Sequence, residues 1–159
     1  MLYALLKTLH LLAVIVWVGG MAFVQFFLRP SLAQVESPPQ RLNLMAAVLE
    51  RFFAAVLVAV LVIVLGGAWM IGEAHQQAVA TGGRLVMPLA WSLMTVLGLL
   101  MAAIFGHIRF VLFRRMQRGL AAADSAAAAS ALAQIRTWVS INLAIGTAIV
   151  VMMGLGLPR

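Results

Sequence analysis

Residues 52–71 read Phe-Phe-Ala-Ala-Val-Leu-Val-Ala-Val-Leu-Val-Ile-Val-Leu-Gly-Gly-Ala-Trp-Met-Ile, twenty positions without a charge. A helix of about 20 apolar residues, rising 1.5 Å per residue, crosses the roughly 30 Å hydrocarbon layer of a bilayer. A transmembrane β-strand would be about ten residues of strict alternation, whereas residues 56–65 are apolar without a break. The stretch therefore reads as a membrane-spanning helix. Three further stretches of the same kind occupy residues 2–28, 85–108 and 137–157. With their flanks, the expected spans run over about 2–28, 50–71, 85–113 and 136–157. The fold class that follows is all-α, an integral membrane four-helix bundle in one domain over residues 1–159.

The composition agrees with this. The chain is 65% hydrophobic and 9% charged, against about 25% charged for an average soluble domain. So few ionisable groups could not cover the surface of a water-soluble globule of 159 residues. The chain has no cysteine, which excludes disulfides, thiol catalysis and thiolate metal sites and leaves His, Met, carboxylates and backbone as ligands. The first span is too long for a secretory leader, contains Lys7 and is followed by no small-residue cleavage site, so it is expected to be retained.

The net charge of +7 reads as topology and not as a nucleic-acid footprint. The first and third loops carry Arg29, Arg41, Arg51, Arg109, Arg114, Arg115, Arg118 and Arg136, leaving Lys7, Arg84 and Arg159 for the opposite side. By the positive-inside rule the first group is cytoplasmic and both termini are external. An inner-membrane, multi-pass protein with periplasmic termini is the expectation. Pro30 and the pair Pro38-Pro39 are expected to interrupt helix in the first loop, with Asn43 as a cap for the second helix. Residues 114–118 are basic and residues 120–133 Ala-rich, which predicts a surface helix or an extension of the third and fourth spans. Trp69, Trp91 and Trp138 fall near span ends, as interfacial aromatics do.

Polar residues within spans are costly and usually face the bundle interior. Lys7, His10, Val14, Trp17, Met21 and Gln25 recur every three or four residues and form one stripe on the first helix. Lys7 either snorkels to the interface or joins a site. His10 is either hydrogen-bonded to a neighbouring helix or a ligand to copper or haem iron. Met21 is a packing residue or a soft Cu(I) ligand, and His75, placed in the second loop, is a solvated histidine or a second ligand beside His10. In the third span Trp91, Thr95, Gly98, Ala102, Gly106 and Arg109 share a face of mostly small residues, suited to close packing or to the edge of a flat cofactor. His107 points away from it. The fourth span carries Arg136, Ser140 and Thr147 on one face and Asn142 and Gly146 on another. Arg136, at the cytoplasmic boundary, is expected to contact a phosphate headgroup. Glu50-Arg51 could lock onto Arg29 or Arg136, or these arginines could receive porphyrin carboxylates. No nucleophile or acid–base set is visible, so an enzymatic role stays open.

Taken together, Leu6-Lys7-Thr8-Leu9-His10-Leu11-Leu12, Trp17-Val18-Gly19-Gly20, the Phe-Phe-Leu-Arg-Pro ending at Pro30 and residues 136–146 resemble the copper-resistance D (CopD) membrane domain. The layout is also similar to the haem-containing protoporphyrinogen oxidase family (HemJ), with its Lys-x-x-His start, Trp-x-x-Gly step and Glu-Arg pair. Those haem relatives carry a third-helix lysine that is missing here near Thr95 and Val96, so the copper-resistance group is the better match. The resemblance implies copper handling in the inner membrane, with His10 as the family histidine, Lys7 as its partner and Glu50-Arg51 as its Glu-Arg pair. The alternatives are a haem b redox protein, with His10 as axial ligand beside Trp17, and a structural subunit without cofactor. Four helices enclose little space, so a homo-oligomer or a membrane redox or metal partner is expected alongside the lipid bilayer.

Overall fold

Proline, alanine and the apolar runs together set where the helices begin and end. The computed structural model describes residues 1–155 and contains four long helices: α1 (Leu2–Gln34), α2 (Pro38–Ala80), α3 (Leu89–Ala121) and α4 (Ser125–Gly154). Every regular element among these residues is helical. Each helix is long and apolar enough to cross a membrane, which agrees with the all-α, four-span expectation. Arg159 and the end of the fourth expected span lie outside the described residues.

Most of the helices outrun the apolar spans, and several expectations about their ends are corrected. Pro30 does not interrupt α1. A widened π-turn, Val24–Leu28, precedes it and the helix continues through Arg29–Ser31; an enlarged turn there accommodates the ring and the missing N–H donor. Pro38-Pro39 begins α2, since proline suits the first helical turn, where its missing N–H would have no partner anyway. Ser37 is the residue before the helix, so Asn43 lies inside it and caps nothing. His75 is not a loop residue either, because α2 runs on to Ala80. The basic and Ala-rich segments do extend the third and fourth spans: α3 continues to Ala121 and α4 starts at Ser125. Residues 85–88 of the third expected span precede the helix, which starts at Leu89.

The α1–α2 connection, residues 35–37, is closed by Arg41, whose Nε and Nη2 donate to the Val35 carbonyl at 3.2 and 2.6 Å. The α3–α4 connection, residues 122–124, has Ala123 at φ 54°, and the Asp124 carboxylate accepts from the Ala127 N–H at 2.9 Å to cap α4. There the helices nearly touch. A Cβ on Gly119 would sit 2.8 Å from the Ala128 nitrogen and 3.1 Å from its Cα, so only glycine permits this approach.

Packing is concentrated toward the end that carries these two short turns, called here the loop end. Phe53 anchors it, edge-on to Phe105 and Phe113, while Trp17 meets Phe105 edge-on with ring centroids 6.1 Å apart. Leu49, Ile108, Leu112, Met116 and Ile135 are also fully buried. Toward the opposite, open end the interior runs out: no described residue is buried in α1 before Ala13, in α2 after Gly66, in α3 before Met101 or in α4 after Gly146.

Candidate functional site

The stripe predicted on α1 faces inward over part of its length and divides into three levels. At the open end, Lys7 is exposed and His10 is half-buried. In the middle, Trp17 and Met21 are 3% and 2% exposed and belong to the core. Nearer the loop end, the Gln25 amide donates to Ser140 Oγ at 3.1 Å, and that hydroxyl donates in turn to the Arg136 carbonyl at 2.9 Å. Gln25 was legible as part of the α1 stripe, and Ser140 as sharing a face of the fourth span with Arg136. Their pairing across α1 and α4 was not, because no local spacing connects residues so far apart in sequence.

His10 is the half-buried histidine of this stripe. Its ring lies against α2, beside the Ile63 backbone and 3.9 Å (Cε1) from where a Cβ on Gly67 would stand. Gly67 therefore leaves space next to the imidazole that a larger residue would fill. Nδ1 is buried and makes no hydrogen bond of good geometry among the described residues, the Ile63 backbone being the polar neighbour of the ring. A neutral imidazole nitrogen in that situation is a competent metal ligand.

The other predicted ligands are not gathered around it. Met21 is eleven residues along the same helix, about 16 Å away by helical rise, and is packed into the core. His75 is exposed on α2, eight residues beyond Gly67 and about 12 Å farther along the axis. Among the described residues no group of three or more His, Asp or Glu side chains could hold a metal ion. A complete coordination sphere from this chain alone is therefore not formed at His10.

The residues suggested for a macrocycle are also dispersed. Trp17 is enclosed by the core and packs on Phe105. Arg136 lies at the level of Gln25, about 22 Å along α1 from His10. Arg51 is exposed and donates to the Ala47 carbonyl of its own helix at 3.2 Å, so the expected lock onto Arg29 or Arg136 is not its hydrogen bond. The small-residue face of α3 does not mediate close packing within the chain, since a Cβ on Gly98 or Gly106 would meet nothing within 4 Å. The close approaches are instead at Gly119, at Gly20 against the Phe52 ring, and at Gly146, where a Cβ would lie 3.0 Å from both Met101 Cε and Val18 Cγ2. His107 is exposed and lies edge-on to Trp138 at 5.7 Å.

One polar side chain, read from the sequence only as sharing a face of the fourth span with Gly146, is buried in the core. Asn142 is 1% exposed, its amide donating to the Met101 carbonyl at 3.4 Å, while Oδ1 has no partner. Its place in an apolar run on α4 was the only available signal.

Four apolar spanning helices, packed as two hairpins with an inward polar stripe, define a multi-pass membrane protein. A family model, copper resistance protein D (CopD), matches residues 46–155, more than half of the chain. The chain belongs to that family. The match begins within α2, so α1 with Lys7, His10, Trp17 and Met21 lies before it. No curated protein matches, and no solved structure matches.

Proposed function

We propose that this protein takes part in copper handling in the cell inner membrane, with His10 as the ligand that meets the ion. The observation that carries the reading is the buried Nδ1 of His10 beside Gly67, which makes no hydrogen bond of good geometry; membership of the copper-resistance family supports copper as the metal. Imidazole suits both copper oxidation states, and thioethers add affinity for Cu(I). Copper is cargo here. The ligands missing around His10 come from a second copy of the chain or from a membrane partner, which the thinly packed open end of the bundle would admit.

The Lys/Arg bias supports a cytoplasmic loop end, which puts His10 near the external face with both termini in the periplasm. A reporter fused to the C-terminus is expected to be active outside; a cytoplasmic reporter would overturn the orientation and leave the copper reading standing.

The test is metal binding by the detergent-purified protein. Copper is expected at a stoichiometric level in the wild type and at least tenfold weaker in His10→Ala, with His75→Ala near wild type. Copper retained equally in His10→Ala refutes the assignment. A Soret band that disappears in His10→Ala would replace the copper reading by haem ligation at the same nitrogen.

A further inference from the structure

A second polar feature, independent of the copper reading, lies toward the loop end between α1, α2 and α4. Gln25, Arg29 and Arg136 line a small recess of about 20 Å³ whose remaining walls are apolar, among them Leu49, Leu132 and Val139. Both cations border a recess whose lining contains no Asp or Glu. Arg136 Nε is buried and lacks a hydrogen-bond partner. Gln25 is tied through Ser140 to the Arg136 carbonyl, which fixes the recess wall next to the guanidinium.

Two guanidinium groups converging without an acid repel one another and leave donors unused, a deficit that an oxyanion removes. Arginine presents a planar fork of donors matched to phosphate oxygens. The depth is also right. From Arg136 to the last described residue, Leu155, α4 rises about 28 Å, close to the roughly 30 Å hydrocarbon thickness, so Arg136 lies at the level of phospholipid headgroups. The recess is too small for a whole metabolite and takes only the oxygens on one face of a phosphate group, while its apolar rim suits the start of an acyl chain.

We propose that Arg29 and Arg136 form a binding site for a phosphate oxyanion, carried by an anionic phospholipid headgroup or supplied as free phosphate. The site holds α1 against α4 through a bridging anion, in place of the ion pair that an acidic residue would have made.

The experiment uses the full chain in maltoside micelles, which contain no phosphate. Phosphatidylglycerol is titrated in one arm, read as bound lipid by native mass spectrometry, and labelled orthophosphate is titrated in the other, read by equilibrium dialysis. Binding in the lipid arm alone identifies a headgroup site; binding in the orthophosphate arm identifies a free-phosphate site. In either case Arg136→Gln and the rim variant Arg29→Gln are expected to lose at least fivefold in occupancy, and Arg114→Gln, outside the recess, is expected to lose none. Arg29 is exposed, so its variant keeps the test usable if Arg136→Gln folds poorly. No binding in either arm, or binding that survives Arg29→Gln, overturns the proposal.

Discussion

The contact between Gly119 and Ala128 can be measured by comparing two alanine substitutions. Gly119→Ala would place a Cβ 2.8 Å from the Ala128 nitrogen, against 3.4–4 Å for ordinary contact, so the backbones must part by about 0.6 Å or more. Neither neighbour is the free end of a side chain, and overpacking of this kind costs about 1–3 kcal/mol. Alanine returns up to about 1 kcal/mol because glycine is the poorer helix former. Gly72→Ala supplies that same gain inside α2 with nothing within 4 Å of the new methyl. The difference between the two variants therefore isolates the steric cost, with Gly119→Ala less stable by about 1–3 kcal/mol. At about 2–4 °C per kcal/mol for a chain of this size, the midpoints should differ by several degrees. The assay is loss of helical circular dichroism on heating the detergent-solubilised protein at one fixed scan rate. Gly119→Val should fall further. If Gly119→Ala melts with or above Gly72→Ala, the close approach of α3 and α4 is wrong.

Other outcomes follow from the same geometry. Asp124→Ala removes the cap on the Ala127 N–H and is expected to cost about 1 kcal/mol, seen as a lower melting midpoint. Ala123→Gly should raise the midpoint, because a left-handed residue with a Cβ, here at φ 54°, carries about 1–2 kcal/mol of strain. Asn142→Asp puts a charge at a fully buried position and is expected to cost about 3 kcal/mol, visible as aggregation on size exclusion. Asn142→Leu should be far milder, since it also removes the unpartnered Oδ1.

The four helices were legible because each apolar run is as long as the hydrocarbon is thick. The ends of the helices were not, for the same reason: hydropathy reports where lipid is, whereas helix length is set by capping and backbone donors. Hence Pro30 was absorbed, Pro38 began a helix it was expected to break off, and His75 proved helical. On α1, the spacing of Trp17 and Met21 identified an inward face without saying whether core or cofactor lay beneath it. The answer depended on Phe105 and Phe53 from other helices, and no periodicity within α1 encodes those partners. Likewise the small residues at Gly98 and Gly106 looked suited to close packing, yet the tight approaches fall at Gly20, Gly119 and Gly146, where neighbouring chain rather than composition decides.

The uneven burial along the bundle has a mechanical meaning. Short turns, interlocked aromatic rings and the Gly119 approach clamp the helices at one end, whereas beyond Ala13, Gly66, Met101 and Gly146 no side chain is fully enclosed. Such an object behaves like a pair of forceps: the joint is stiff, and displacement grows with distance from it. His10 sits in the jaws, so the gap beside it can widen or narrow without disturbing the core, and amide exchange should be fastest in the same half of the molecule.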